Sequence, residues 1–180
     1  MWGRRGDRPS FRTTSLLYIS ARKRQRTAWA WTLGTFFGTG FLRPGPGTWG
    51  SAAGLVLWLA VAHWAHFSRG QLALATAVAA LIVVLVGIPA SSIIVRESGT
   101  EDPGFVVLDE VAGQWIALIG ATARPWLWLL AFLLFRVFDI LKPPPARQFD
   151  RMHGGFGIMM DDVAAGSYAL ALVWIASRWL

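Results

Sequence analysis

Cysteine is absent from all 180 residues. That excludes disulfide staples, Cys-ligated zinc and a cysteinyl-phosphate nucleophile. Charge is scarce too, at 15% Asp, Glu, Lys and Arg against roughly 25% in an average soluble protein. So apolar a chain is not a disordered one. Tyrosine occurs twice, whereas tryptophan occurs eleven times and 54% of the residues are hydrophobic. A mean hydropathy of +0.46 fits a membrane protein better than a water-soluble globule. The length bounds the chain to a single domain. Neither an internal repeat nor a period-2 strand ladder is visible, so the expected fold is an all-α, polytopic membrane helical bundle.

The formal charge of +7 suggests a nucleic-acid partner until it is placed along the chain. Residues 1–43 carry nine Lys/Arg against one acid, Asp7, and the remaining residues carry eight bases against nine acids. The basicity is therefore a tail. A nucleic-acid arm has the same composition, but this one runs directly into apolar segments, and anionic lipid headgroups are its expected partner. Residues 1–27 read as a basic cytoplasmic tail and 28–180 as the membrane-embedded domain. A secretory signal is the rival reading of the N-terminus, and no small-residue cleavage site follows the apolar run.

Five stretches approach the length of about 20 residues needed to span a bilayer: 49–67, 72–95, 105–123, 125–141 and 157–180. The second carries no charge; its Gly87 and Pro89 are tolerated in a membrane helix. The shorter 28–42 reads as an interfacial or re-entrant segment. With the N-terminus in the cytoplasm, segments 1–48, 96–104 and 142–156 hold thirteen of the seventeen Lys/Arg, as the positive-inside rule requires.

Nine of the ten acids fall between Glu97 and Asp162. An ionisable group at mid-membrane costs about 2.5–3.5 kcal/mol or more, so each needs a reason. In this topology Asp109 and Glu110 lie just inside the third stretch, Asp139 near the end of the fourth, and Asp161 and Asp162 just inside the fifth. All five sit within roughly 10 Å of the cytoplasmic face at about 1.5 Å per residue. Carboxylates crowded in apolar surroundings repel, and a hard divalent cation such as Mg²⁺ relieves the repulsion. Local ion pairs are the alternative. Arg136 and Lys142 each lie three residues from Asp139, but no base lies within a turn of Asp109, Glu110, Asp161 or Asp162.

Two loops flank the acids. Residues 38–50 hold five glycines and two prolines before a helix begins, so Gly45, Gly47 and Thr48 are candidates for cradling phosphate; a plain turn at the membrane surface is the alternative. Lys142-Pro143-Pro144-Pro145 ends the fourth stretch and holds Lys142 and Arg147 near the acids, where they could meet phosphate. His153 is the one histidine on the cytoplasmic side and a candidate general acid, although a lone histidine is often structural. His63 and His66 fall near the far face and carry no expected chemistry. Asp102 either joins the site or caps the third helix.

Four strings occur in one order: Pro44-Gly45-Pro46-Gly47-Thr48-Trp49-Gly50-Ser51; Asp102-Pro103-Gly104 with Asp109-Glu110-Val111-Ala112-Gly113-Gln114-Trp115; Phe135-Arg136-Val137-Phe138-Asp139-Ile140-Leu141-Lys142-Pro143; and His153-Gly154-Gly155-Phe156-Gly157-Ile158-Met159-Met160-Asp161-Asp162. Together they resemble the phosphatidylglycerophosphatase A family. The resemblance covers most of residues 38–166 and leaves the basic tail outside. It implies a Mg²⁺-dependent lipid phosphatase that converts phosphatidylglycerophosphate to phosphatidylglycerol at the cytoplasmic face of a bacterial inner membrane. On that reading Asp109, Asp139 and Asp162 are the expected metal ligands. Glu110 and Asp161 are second choices, as ligands or as the base that orients water. Lys142, Arg136 and Arg147 would hold phosphate, and an aspartyl-phosphate intermediate stays open beside direct attack by water.

Two other classes compete. A membrane phosphoalcohol transferase also gathers aspartates and Mg²⁺, but its Asp-Gly…Ala-Arg…Gly…Asp signature does not occur here. A small channel or transporter would spread its acids across the membrane depth instead of collecting them near one face.

Overall fold

The computed structural model describes residues 26–122 and 124–179, and among them every regular element is helical. The expected basic tail, apart from Arg26 and Thr27, lies outside the described residues. Seven α-helices follow in order: α1 (Ala28–Gly34), α2 (Pro46–Trp64), α3 (Arg69–Ser98), α4 (Leu108–Leu118), α5 (Pro125–Leu141), α6 (Ala146–Asp150) and α7 (Gly155–Trp179). Short 3₁₀ turns occupy Thr39–Phe41 and Ile119–Ala121.

Local chemistry sets the boundaries. Proline begins α2 and α5, where its missing N–H has no helical partner to lose. Ser68 and Gln71 cap the start of α3 reciprocally, the Ser68 amide donating to Oε1 of Gln71 at 3.0 Å. Gly99 ends that helix in the left-handed conformation. Lys142 ends α5 in the same conformation, and the three prolines behind it prevent continuation.

Two of these helices, α3 and α7, are long and apolar enough to cross a membrane. Leu74, Val78, Leu81, Ile82 and Leu85 leave one side of α3 apolar and exposed, as Leu129, Leu133, Val137 and Ile140 do on α5. Such faces are stable against lipid and costly against water. The stretch 105–123 departs from the expectation of a long helix. Residues 105–107 enter as non-helical chain, held where the Val107 amide donates to the Gly34 carbonyl at 2.8 Å. The α-helix that follows has eleven residues, roughly 16 Å of axis, which is too short to span alone. Buried Val107 and Val111 pack with Phe36, while Leu118 and Leu127 join Phe135, Ala165, Ala169 and Val173 in the main core.

The α4–α7 pairing is the most extensive in the molecule and has a specific cause. Gly113 and Gly166 meet there. A Cβ on Gly166 would run into the Gly113 backbone, and one on Gly113 into the Phe135 ring and the Asp162 carbonyl. Backbone therefore lies against backbone at the level of the acids.

Candidate functional site

Three helices deliver carboxylates to one place. Asp109 and Glu110 lie in the first turn of α4, where the positive end of the helix dipole favours them. Asp161 and Asp162 are buried on α7, and Asp139 lies two residues before the end of α5. One oxygen from each of Asp109, Glu110 and Asp162 falls within 4.8 Å of the others. Asp139 lies within hydrogen-bonding reach of Asp162. The cluster lines a cavity of about 370 Å³ together with Lys142 and Asp161.

The cations around the cluster are already engaged. Lys142 donates to Asp161 at 2.7 Å and is also paired with Asp150. Partial burial pulls the Lys142 ammonium towards deprotonation, but the hydrogen bonds to Asp150 and Asp161 outweigh it and hold the proton beyond the ordinary lysine range. Asp161 turns its other oxygen to the Asp162 amide, 2.9 Å away, so one carboxylate orients both the lysine and the start of the next residue. Arg136 pairs with Asp139 at 2.6 Å and reaches the Ser51 hydroxyl at 3.5 Å.

Within the cluster, Oδ1 of Asp109 and Oε2 of Glu110 are buried and receive no hydrogen bond. Buried carboxylate oxygens without donors are rare and costly. The same residues offer only oxygen at short mutual distances. That donor set fits a hard, oxygen-seeking divalent cation and not a thiolate- or imidazole-preferring one.

A family model described as Phosphatidylglycerophosphatase A matches residues 32–177. The chain belongs to that family. A relative from Haemophilus influenzae named Phosphatidylglycerophosphatase A is 39% identical over 146 residues, covering 80% of this chain and 86% of its own. The Escherichia coli K12 protein of the same name is 32% identical over 165 residues, covering 88% and 91%. A Bacteroides thetaiotaomicron protein, named as a candidate phosphatidylinositol-3-phosphatase, is 40% identical over 153 residues, covering 82% and 92%. No solved structure matches the chain.

In this member of the phosphatidylglycerophosphatase A family, six residues expected from the sequence come together in the cavity: Asp109, Glu110, Asp139, Lys142, Asp161 and Asp162. His153 stands at the rim, largely exposed and 3.7 Å from the equally exposed Glu101. Other expected residues lie elsewhere. Arg147 is exposed on α6, and neither it nor Arg136 lines the cavity. Gly45, Gly47 and Thr48 do not line it either. Gly47 instead lets the α2 backbone pass directly against Glu110 and Arg136, with no room for a Cβ. Asp102 lines the cavity and does not cap α4, whose N-cap is Val107.

Asp150, Arg151 and Glu101 complete the charged part of the lining and are not among the residues expected from sequence. A signal for Asp150 did exist. Three prolines after Lys142 force the chain to turn back, so an acid on the following short helix returns towards the lysine.

Proposed function

We propose that the chain is a Mg²⁺-dependent phosphatidylglycerophosphatase, hydrolysing the terminal phosphate of phosphatidylglycerophosphate to give phosphatidylglycerol and inorganic phosphate. The observation that carries this reading is the meeting of Asp109, Glu110 and Asp162, with undonated buried oxygens, in one cavity with the Lys142 ammonium. Membership of the phosphatidylglycerophosphatase A family supports the lipid phosphomonoester as substrate. Asp109, Glu110 and Asp162 would hold the ion, with Asp139 beside them. When bound, the ion supplies positive charge to phosphoryl oxygens and acidifies a coordinated water.

The chain's own residues have separable tasks. Lys142 takes a phosphoryl oxygen by a charge-assisted hydrogen bond, giving up Asp150, the more exposed of its two partners. Asp161 keeps hold of Lys142 and so fixes where the phosphate sits. A carboxylate of the cluster accepts the proton of the attacking water or attacks phosphorus itself. His153, at the rim, would return a proton to the departing glycerol oxygen. Arg136 keeps Asp139 in position from outside the cavity.

The reading includes a multi-pass protein of a bacterial inner membrane with the site facing the cytoplasm. The apolar exposed sides of α3 and α5 support the membrane part, and the positive-inside bias supports the orientation. Phosphate release from phosphatidylglycerophosphate in detergent, with Mg²⁺ and then with excess chelator, tests it. Release that persists after chelation overturns the metal. Phosphatidylinositol-3-phosphate is the informative second substrate, given the Bacteroides relative's name. Release from it alone would move the proposal to another headgroup.

A further inference from the structure

The carboxylate cavity has an apolar neighbour across a single turn of chain. Lys142 faces the cavity, while the next two residues, Pro143 and Pro144, line a separate open groove of about 300 Å³. The same division occurs one turn earlier in α5, where Asp139 lines the cavity and Phe138 the groove. Tyr168, Ala171 and Leu172 of α7 form the opposite wall. The groove therefore begins at the level of the catalytic lysine. Its α7 wall runs from Tyr168 to Leu172, about one helical turn or roughly 6 Å of axis, on the side of α7 away from the helix start that carries Asp161.

The turn between the two compartments is fixed from the groove side. The Tyr168 hydroxyl donates to the Pro144 carbonyl at 2.6 Å, and its ring packs against Phe138 with centroids 5.5 Å apart. That bond satisfies the Pro144 carbonyl of the proline turn, beside a groove whose lining side chains are otherwise apolar. A second apolar hollow exists between α2 and α3, around Trp58 and Trp115, but no residue of it lines or adjoins in sequence the residues that line the carboxylate cavity from α5.

We infer that the groove between α5 and α7 seats an acyl chain of the glycerophospholipid substrate. The Lys142–Pro145 turn parts its phosphate from its hydrocarbon. The inference rests on the phosphatase reading above and adds to it the place where the lipid end lies. In an amphipathic substrate whose terminal phosphate contacts Lys142, a glycerol–phosphodiester–glycerol linker separates that phosphate from the acyl chains; the linker crosses the proline turn, and burial against the groove is the favourable outcome for the hydrocarbon beyond it. The groove is open along its length, so a chain enters sideways from the bilayer and the lipid need not be extracted.

The test compares a long-chain phosphatidylglycerophosphate in mixed micelles with its water-soluble dihexanoyl analogue. Ala171→Trp fills the groove from an exposed position on α7. Val78→Trp, on the exposed side of α3 and remote from the groove, is the control. We expect Ala171→Trp to raise KM for the long-chain lipid about tenfold, as losing burial of about two methylenes would. Its kcat for that lipid, and both constants for the short-chain analogue, stay within about twofold of the parent by the same reasoning. Equal effects on the two substrates, or no effect on either, overturn the groove assignment while leaving the phosphatase standing. No phosphate release from either substrate by the parent protein would instead overturn the phosphatase reading. As a second measurement, a lipid with a photoreactive group along its acyl chain should label the Tyr168–Leu172 segment; labelling elsewhere alone counts against the groove.

Discussion

Lys142 and Asp161 meet at 2.7 Å although they lie nineteen positions apart, one ending α5 and the other buried on α7. The pair joins the cavity's only lysine among the described residues to the acid that precedes the buried Asp162. Hydrogen bonds to ionised groups contribute about 1.5–3 kcal/mol, and a phosphoryl oxygen taking the place of Asp150 would gain on that scale. Lys142→Ala should therefore lower kcat/KM for phosphate release by roughly ten- to a hundredfold. Because the folded protein holds the Lys142 proton more tightly than an ordinary lysine, the ammonium stays charged across neutral and mildly alkaline pH. The defect should be constant between about pH 6 and 9, which a pair of pH–rate profiles would check.

Asp162→Asn separates metal binding from turnover. In the parent protein Mg²⁺ should raise the unfolding temperature in detergent, because a ligand bound only by the folded state stabilises it. The variant should lose that rise along with its activity. In chelator its unfolding temperature should equal or exceed the parent's, since one of three crowded carboxylates has lost its charge. A Mg²⁺-dependent rise retained by the variant would remove Asp162 from the ligand set.

Gly45 and Gly47 predict different failures two residues apart. Gly45 has a φ of 69°, so Gly45→Ala costs about 1 kcal/mol or more of backbone strain without touching the cavity. Gly47→Ala drives a methyl group into Glu110 and crowds Arg136. Overpacking of this kind costs about 1–3 kcal/mol, and here it also displaces a cluster carboxylate. Thermal unfolding and phosphate release should fall together for Gly47→Ala, whereas Gly45→Ala should lose stability with activity largely kept.

Deleting residues 1–25, which carry seven Lys/Arg against one acid, tests the basic tail. Attraction to anionic lipid is worth about 1 kcal/mol per base near a surface and fades within a Debye length. The deletion should flatten the salt dependence of KM in micelles containing anionic lipid and leave kcat in neutral detergent unchanged. An undiminished salt dependence would place the attraction elsewhere.

Hydropathy and charge already exposed the long apolar helices and the grouping of the acids near helix ends. An uncharged run such as 72–95 has few alternatives, and each acid's distance from a helix end follows from counting residues. The third stretch misled for a definite reason. Hydropathy does not register that residues 105–107 are held by the Gly34 carbonyl, a contact made across more than seventy positions. The same limit hid the partners of the cations. Arg136 could be assigned to Asp139 from its i, i+3 spacing, but its contact with Ser51 and the sharing of Lys142 between Asp150 and Asp161 depend on how α2, α5, α6 and α7 come together. Gly47 stood out as part of a glycine-rich loop, yet what requires a glycine there is the carboxylate of Glu110.

The crossing of α4 and α7 at Gly113 and Gly166 bears on which ion the cluster would accept under the proposed function. Backbone contact at that crossing sets the gap between Asp109 and Glu110 on one helix and Asp162 on the other. Mg²⁺ needs oxygens at about 2.0–2.1 Å and Ca²⁺ at about 2.3–2.6 Å, so a difference of a few tenths of an ångström per bond distinguishes them. If the cluster holds an ion as proposed, two absent methyl groups remote from it would thus act as the gauge of ionic radius. A single methyl added at either glycine would bias the site towards the larger cation.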